Sequence, residues 1–293
     1  GIDSYIVLDE NRSFAGAAVD MLRADGWDGK IIDVNEALAL MTRKTLLVVV
    51  DTHKSSFVDF PTLYEKASAT VVIDHHRKSV DHIKDALIFF HDPNASSTCE
   101  MVTELMRYIT PAPTLSPVEA QAMLAGIMLD TKEFVLSTGV RTFEAAAFLK
   151  GKGADTVAVK RLFSNSIESN RKRSEIISAA HIYRGCAIAC TAPGTENARL
   201  LSAQAADELL EVSGVKASFV IFDSGNDSVN ISARSYGDLN VQIIMEYLGG
   251  GGHRTMAAAQ LTGVNMEEAK SKLCEAIDAK YPRTDGEGPT PIS

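Results

Sequence analysis

Four short, continuous apolar runs punctuate the first half of the chain, at residues 5–8, 31–34, 46–50 and 71–73. Uninterrupted runs of this length predict strands buried on both faces of a parallel sheet. The stretches between them, residues 13–24 and a segment opened by Asn35, carry helical patterns. Ser97 and Glu100 have capping-box spacing at the head of a helix over 98–109. Ser116 with Glu119, and Pro117 at the first helical position, does the same for a helix over 118–129. A third helix begins at about Thr142 and stops at Gly151-Lys152-Gly153.

The texture changes after about residue 165. A charged connecting helix over 168–175, a strand over 186–190 and a helix over 203–211 come next. Residues 218–222 and 229–235 flank a polar turn and predict a hairpin. A helix over 241–248 then runs into four glycines. The expected architecture is α/β, with a Rossmann-like parallel-sheet domain over 1–165 and a smaller α/β domain with a mixed sheet over 166–281. A tail over 282–293, rich in Pro, Gly and charge, is expected to be disordered. A length of 293 residues suits two cores better than one.

Composition narrows the function. Hydrophobic residues at 45% and charged residues at 23% are the balance of a soluble globular protein. No apolar run approaches the roughly 20 residues of a membrane-spanning helix, and no signal-peptide pattern opens the chain. The expectation is a cytoplasmic module without membrane contact. The four cysteines, Cys99, Cys186, Cys190 and Cys274, are scattered and are read as reduced thiols. A formal charge of −9 argues against tracking of long nucleic acid. It leaves room for a small anionic substrate, because carboxylates that hold divalent metals are acidic only until the metals are in place.

Two of the apolar runs end in groups able to bind metal. Residues 46–50 deliver Asp51, and 71–73 deliver Asp74, His75 and His76. Carboxyl ends of parallel strands form the ligand crevice, so both groups are expected to open onto one site. Asp130, after the helix over 118–129, opposes a helix macrodipole and calls for a compensating cation. Mixed carboxylate and imidazole donors suit manganese better than a thiolate-bound zinc. A single aspartate after a strand is ordinarily a turn residue or a helix cap; an Asp-His-His triplet at a buried strand end needs partners for three polar groups. His53 lies near the expected site, whereas His82, His91 and His181 are read as surface or core histidines.

The segments Val-Val-Val-Asp-Thr-His (48–53), Val-Ile-Asp-His-His (72–76), Ala-Ser-Ser-Thr (95–98) and Leu-Ala-Gly-Ile-Met-Leu-Asp-Thr (124–131) resemble successive motifs of the DHH phosphoesterases. Ser-Ala-Arg-Ser (232–235) and Gly-Gly-Gly-Gly-His (249–253) resemble the DHH-associated domain that follows in that family. Asp130-Thr-Lys-Glu-Phe and the Thr-Gly-Val-Arg-Thr-Phe of 138–143 are similar to the GdpP-type cyclic-di-AMP phosphodiesterases. The resemblance covers nearly the whole chain to about residue 280. It implies two divalent ions, expected to be Mn2+, with Asp51 as the bridging ligand, His75 and Asp130 each on a metal, Asp74 orienting the site and His76 facing the phosphate. It also implies that a first motif, His-x-x-x-Asp-x-Asp or a near variant, precedes the segment like residues 1–8, and nothing here matches it. Two explanations stand, a fragment, which the opening at Gly1 favours, or a protein that has lost the motif; weak metal binding and little or no hydrolysis are expected compared with an N-terminally extended form. The same resemblance implies that a parent protein carries N-terminal membrane helices and sensory modules.

In residues 229–235 the period-2 rule puts Asn230, Ser232 and Arg234 on one face. An arginine can grip phosphate through two parallel hydrogen bonds. Gly249, Gly250, Gly251 and Gly252 lack Cβ atoms, so their N–H groups can approach an anion or a base. With His253 following, these form the expected substrate-binding lobe. Ser96 and Ser97 at a helix N-terminus are a smaller candidate for phosphate, beside their ordinary capping role, and Arg141 is a candidate to neutralise phosphate. The expected site lies between the two lobes, and the expected reaction opens cyclic di-AMP to linear pApA. Two alternatives stand beside it: a short-oligonucleotide or pAp phosphatase of the same superfamily, and a non-cleaving cyclic-dinucleotide sensor. A homodimer is one expected state of assembly.

Overall fold

The computed structural model describes residues 3–8, 16–109, 113–225 and 227–282. It divides into two compact units, residues 1–164 and 165–293.

The first unit opens with β1 (Ile6–Val7), α1 (Gly16–Leu22), β2 (Ile31–Ile32) and α2 (Val34–Leu40). β1 and β2 pair in parallel. Asp33 caps α2 in a complete box with Glu36, so the helix starts one residue before Asn35. The expected helix over 13–24 lies partly outside the described residues, and α1 is its described part. A second parallel sheet holds β3 (Leu46–Val50), β4 (Ala69–Asp74) and β5 (Ile88–His91), in the order β3-β4-β5, with α3 (Pro61–Lys66) between the first two strands. β4 is central, and Val72 is fully buried within it. β3 departs from the expectation of burial on both faces. Leu46, Val48 and Val50 are about half exposed, because β3 stands at the edge of this sheet among the described residues.

α4 (Thr98–Ile109), α5 (Pro117–Asp130), α6 (Val140–Gly151) and α7 (Thr156–Leu162) complete the unit. Their core gathers Leu124, Ile127, Ala145, Leu149 and Val159. Burial of the Leu, Ile and Val side chains among them stabilises the unit by about 1.5–3 kcal/mol each. α5 carries the complete Ser116–Glu119 capping box with Pro117 in its first turn. Where α4 crosses α5 the helices approach so closely that a Cβ on Gly126 would lie 2.4 Å from Cys99 Sγ.

The second unit begins with α8 (Ile167–Ser178) and builds a six-stranded mixed sheet. Its strands are β6 (His181–Tyr183), β7 (Cys186–Cys190), β8 (Ala217–Asp223), β9 (Ser228–Ser235), β10 (Gly251–Gly252) and β11 (Met256–Thr262), in the order β10-β11-β9-β8-β7-β6. α9 (Ala198–Leu209) joins β7 to β8, which are parallel; every other neighbour is antiparallel. Alternation along the strands gives both faces a core. Phe219, Ile221 and Ile231 pack with α10 (Val241–Tyr247) and α11 (Met266–Lys280) on one face. Ala187, Ala189 and Val220 pack with α8 and α9 on the other. The expected tail lies outside the described residues apart from Pro282. Among the described residues, no helix is long and apolar enough to cross a membrane.

Candidate metal centre and substrate-binding residues

β3 and β4 run in register, with Val50 beside Ile73, so Asp51 and Asp74 stand together at the carboxyl ends of the two strands. Asp51 continues the ladder, its N–H donating to Ile73 O at 3.0 Å, and then turns the chain with a φ of 62°. Aspartate is one of the few L-residues that enter this left-handed region readily, and residues held there gather at functional sites. The turn leaves the Asp51 carboxylate 55% exposed.

Asp74 is fully buried. His53 donates from Nδ1 to Asp74 Oδ2, while His53 Nε2 accepts from the Ser79 N–H at 2.9 Å. His76 donates to Asp74 Oδ1 from its N–H at 3.2 Å and from Nδ1 at 2.7 Å. Burial alone would raise the Asp74 carboxyl, but the hydrogen bonds from His76 and His53 outweigh it and hold the group well below the usual carboxylate range. The same bond raises the His76 imidazole above its ordinary value. Asp51, His75 and His76 form one group close enough to hold a metal ion, and His53, Asp74 and His91 form another. The donors of the second group are committed, however: both His53 nitrogens and both Asp74 oxygens are in hydrogen bonds, and His91 Nε2 donates to His76 O at 2.5 Å.

His75 is the opposite case. Its Nδ1 lies 3.2 Å from Ala95 O, a pure acceptor, so Nδ1 carries the proton and Nε2 keeps its lone pair. That Nε2 stands 3.6 Å from Asp51 Oδ1 and 3.7 Å from Asp130 Oδ2. One imidazole thus faces two carboxylates from two other elements. Asp130 is the last residue of α5, where the macrodipole disfavours negative charge. Burial, and then the charge of Asp51, push its carboxyl up to about 6. Lys132, Glu133 and Phe134 follow with φ of 48°, 57° and 70°, a tight left-handed turn closed by Glu133 N–H to Met128 O at 2.8 Å. Two carboxylates that repel each other and an imidazole with an open lone pair are a donor set that a divalent cation neutralises and completes.

Ser96 and Ser97 are buried at the head of α4. The Ser97 hydroxyl accepts from the Glu100 N–H at 3.0 Å, as a cap does, and the Ser96 hydroxyl donates to the Glu100 carboxylate. The Glu100 side chain reaches the Ser96 N–H, at 3.3 Å, in place of the Ser97 N–H that the capping-box spacing predicts. Arg141 is half exposed and lies between Glu104 and Asp92, with Nη1 donating to Asp92 at 2.7 Å.

In the second unit Ser232 and Arg234 share the α9 face of β9. Arg234 donates from Nε to Asp207 Oδ1 at 3.2 Å and from Nη1 to Ala233 O at 2.9 Å and Ser232 Oγ at 3.3 Å. Gly251, Ala258 and Ser232 stand in one row across β10, β11 and β9, with Gly252, Ala257 and Ala233 in the next. Two of the four glycines have a packing reason. A Cβ on Gly250 would lie 2.1 Å from Ala258 O, and one on Gly252 would lie 2.5 Å from Ala257 Cα. Gly249 and Gly251 face open space, and His253 is exposed.

Three contacts stand outside the sequence expectations: His53 as the partner of Asp74, His91 as the support of His76, and Thr98, whose hydroxyl donates to Asp51 Oδ1 at 2.9 Å. The Thr-His that follows Asp51 was the available signal for His53.

Residues 5–127 match the DHH family, N-terminal domain, and residues 187–281 match the DHHA1 domain. The chain thus carries a DHH domain followed by a DHHA1 domain. It is 48% identical over 280 residues to the cyclic-di-AMP phosphodiesterase GdpP of Geobacillus thermodenitrificans, covering 94% of this chain and 42% of that protein. It is 45% identical over 252 residues to the cyclic-di-AMP phosphodiesterase PdeA of Listeria monocytogenes, covering 86% of this chain and 38% of that one. The chain thus spans about two-fifths of the length of these curated relatives. A solved exopolyphosphatase-related protein from Bacteroides fragilis shares the fold, with a TM-score of 0.74 at 20% identity over 90% of this chain and 81% of that one.

Proposed function

We propose that the chain is the hydrolytic module of a metal-dependent phosphodiesterase that opens cyclic di-AMP to linear pApA. The observation that carries the reading is the convergence of Asp51 and Asp130 on the open Nε2 of His75, at 3.6 and 3.7 Å. Relatives at 45–48% identity that are named for this activity support the substrate.

Asp51, His75 and Asp130 would hold the divalent ions, manganese by the chemistry of the donors. Bound there, the ions supply Lewis acidity toward the phosphodiester and make a water nucleophilic at neutral pH. Asp74 fixes the His76 ring through Nδ1, which leaves the Nε2 edge of that half-exposed imidazole to face a phosphate oxygen. Water adds to phosphorus, the bond from phosphorus to the 3′ oxygen breaks, and the 3′ oxygen takes up a proton. The product keeps a 5′-phosphate. Ser232, Arg234, Gly249, Gly250, Gly251, Gly252 and His253 would bind nucleotide, with Ser96, Ser97 and Arg141 as further contacts. Of these last three, Arg141 has the more accessible side chain.

The test is manganese-dependent conversion of cyclic di-AMP, followed by chromatography, with linear pApA and pAp as competitors. Loss of turnover in Asp51→Ala and His75→Ala is the expected result. Consumption of the linear compounds alone would move the substrate to the phosphatases of the same superfamily. Tight binding of cyclic di-AMP in chelator, without turnover in manganese, would make the chain a sensor.

A further inference from the structure

One short segment touches two of the three proposed metal ligands. Residues 95–98 are all buried, none more than 6% exposed. At one end Ala95 O accepts the Nδ1 proton of His75; at the other the Thr98 hydroxyl donates to Asp51 Oδ1. His75 follows β4 and Asp51 follows β3, so this segment ties together groups from two strands. Its own position therefore fixes both.

What holds the segment is Glu100. Its side chain is 2% exposed, and Oε2 alone takes three donors: Ser96 Oγ at 2.6 Å, the Ser96 N–H at 3.3 Å and Thr142 Oγ1 at 2.6 Å. Thr142 belongs to α6, which anchors the segment to a second helix. The facing cation is Arg141, with Nε 4.0 Å from Glu100 Oε1, and Arg141 gives its hydrogen bonds to Glu104 and Asp92 instead. Carboxylates are rarely buried to this degree unless fully hydrogen-bonded. A simple helix cap would not need the charge, since Ser97 already caps α4.

We propose that Glu100 is a positioning residue for the metal centre. Through Ser96 it locks residues 95–98, which keeps His75 in the Nδ1–H tautomer with Nε2 open and keeps Asp51 turned toward it. Glu100 touches neither metal nor substrate and acts through Ala95 and Thr98. The inference rests on the metal reading above.

Two variants test it. Glu100→Gln keeps the size but weakens the charge-assisted acceptor, and Thr142→Val removes one donor from a different helix. Manganese affinity measured by calorimetry should fall about tenfold or more in Glu100→Gln, the usual range for a residue behind a ligand, and by less in Thr142→Val. Nitrogen-15 NMR of the metal-free chain should show His75 as a single Nδ1–H tautomer in the wild type and a mixture in Glu100→Gln. Wild-type affinity and an unchanged His75 tautomer in both folded variants would overturn the proposal. Wild-type manganese affinity in Asp51→Ala would instead remove the metal reading, and the metal-free NMR comparison would still decide whether Glu100 positions His75.

Discussion

His53 donates from Nδ1 to the fully buried carboxylate of Asp74, and the parallel pairing of β3 and β4 brings these two together across 21 residues of sequence. The charge is bearable because His76 binds the other oxygen. His53→Ala leaves a buried carboxylate short of a partner. A loss of about 3 kcal/mol is expected, the upper end for leaving a buried acceptor without its hydrogen-bond partner. Urea denaturation at pH 7 measures it.

Acid should weaken the same carboxylate. The folded Asp74 carboxyl lies well below its unfolded value of 3.8, so between the two the unfolded chain binds more protons. Its stabilisation is complete above about pH 4 and is lost as pH falls from there through the folded value. Asp74→Asn should flatten this limb of the stability curve, as read from melting temperatures between pH 5 and 3.

Asp130 has the opposite sign. Its carboxyl is pushed up to about 6 from 3.8, so the folded, metal-free chain binds the extra proton, and Asp130 costs stability as pH rises through that window. Asp130→Asn should therefore melt higher than the wild type above pH 6 in chelator. Manganese should raise the melting temperature of the wild type and do so less for the variant.

The elements that could be read in advance are those with local signatures. Apolar runs fixed β3 and β7 to the residue, and Ser116, Pro117 and Glu119 fixed the start of α5. β11 escaped because Met-Ala-Ala-Ala-Gln-Leu-Thr lacks the β-branched run of a strand; pairing with β9 over seven residues makes it one. β5 is four residues long and is drawn into the sheet by β4. α9 begins five residues earlier than expected, after Asn197 enters with a φ of 54°. At the site, Asp51 and His75 were visible because strand ends point there. Thr98 on Asp51 and Thr142 on Glu100 were not, since contacts across 47 and 42 residues leave no trace in local pattern.

The glycine run separates packing from ligand binding. Gly250→Ala would drive a Cβ into Ala258 O and should destabilise the second unit by about 2 kcal/mol or more, as overpacking does. Gly251→Ala meets open space and should fold like the wild type, within about 1 kcal/mol. Thermal melting of the two variants gives the comparison.

The position of bound metal decides the roles of Asp51, His75 and Asp130. Anomalous scattering from crystals grown in excess manganese measures this directly. It should place a peak within coordination distance of His75 Nε2 and of the Asp51 and Asp130 carboxylates. Manganese found elsewhere, with these three side chains bare, would contradict those roles.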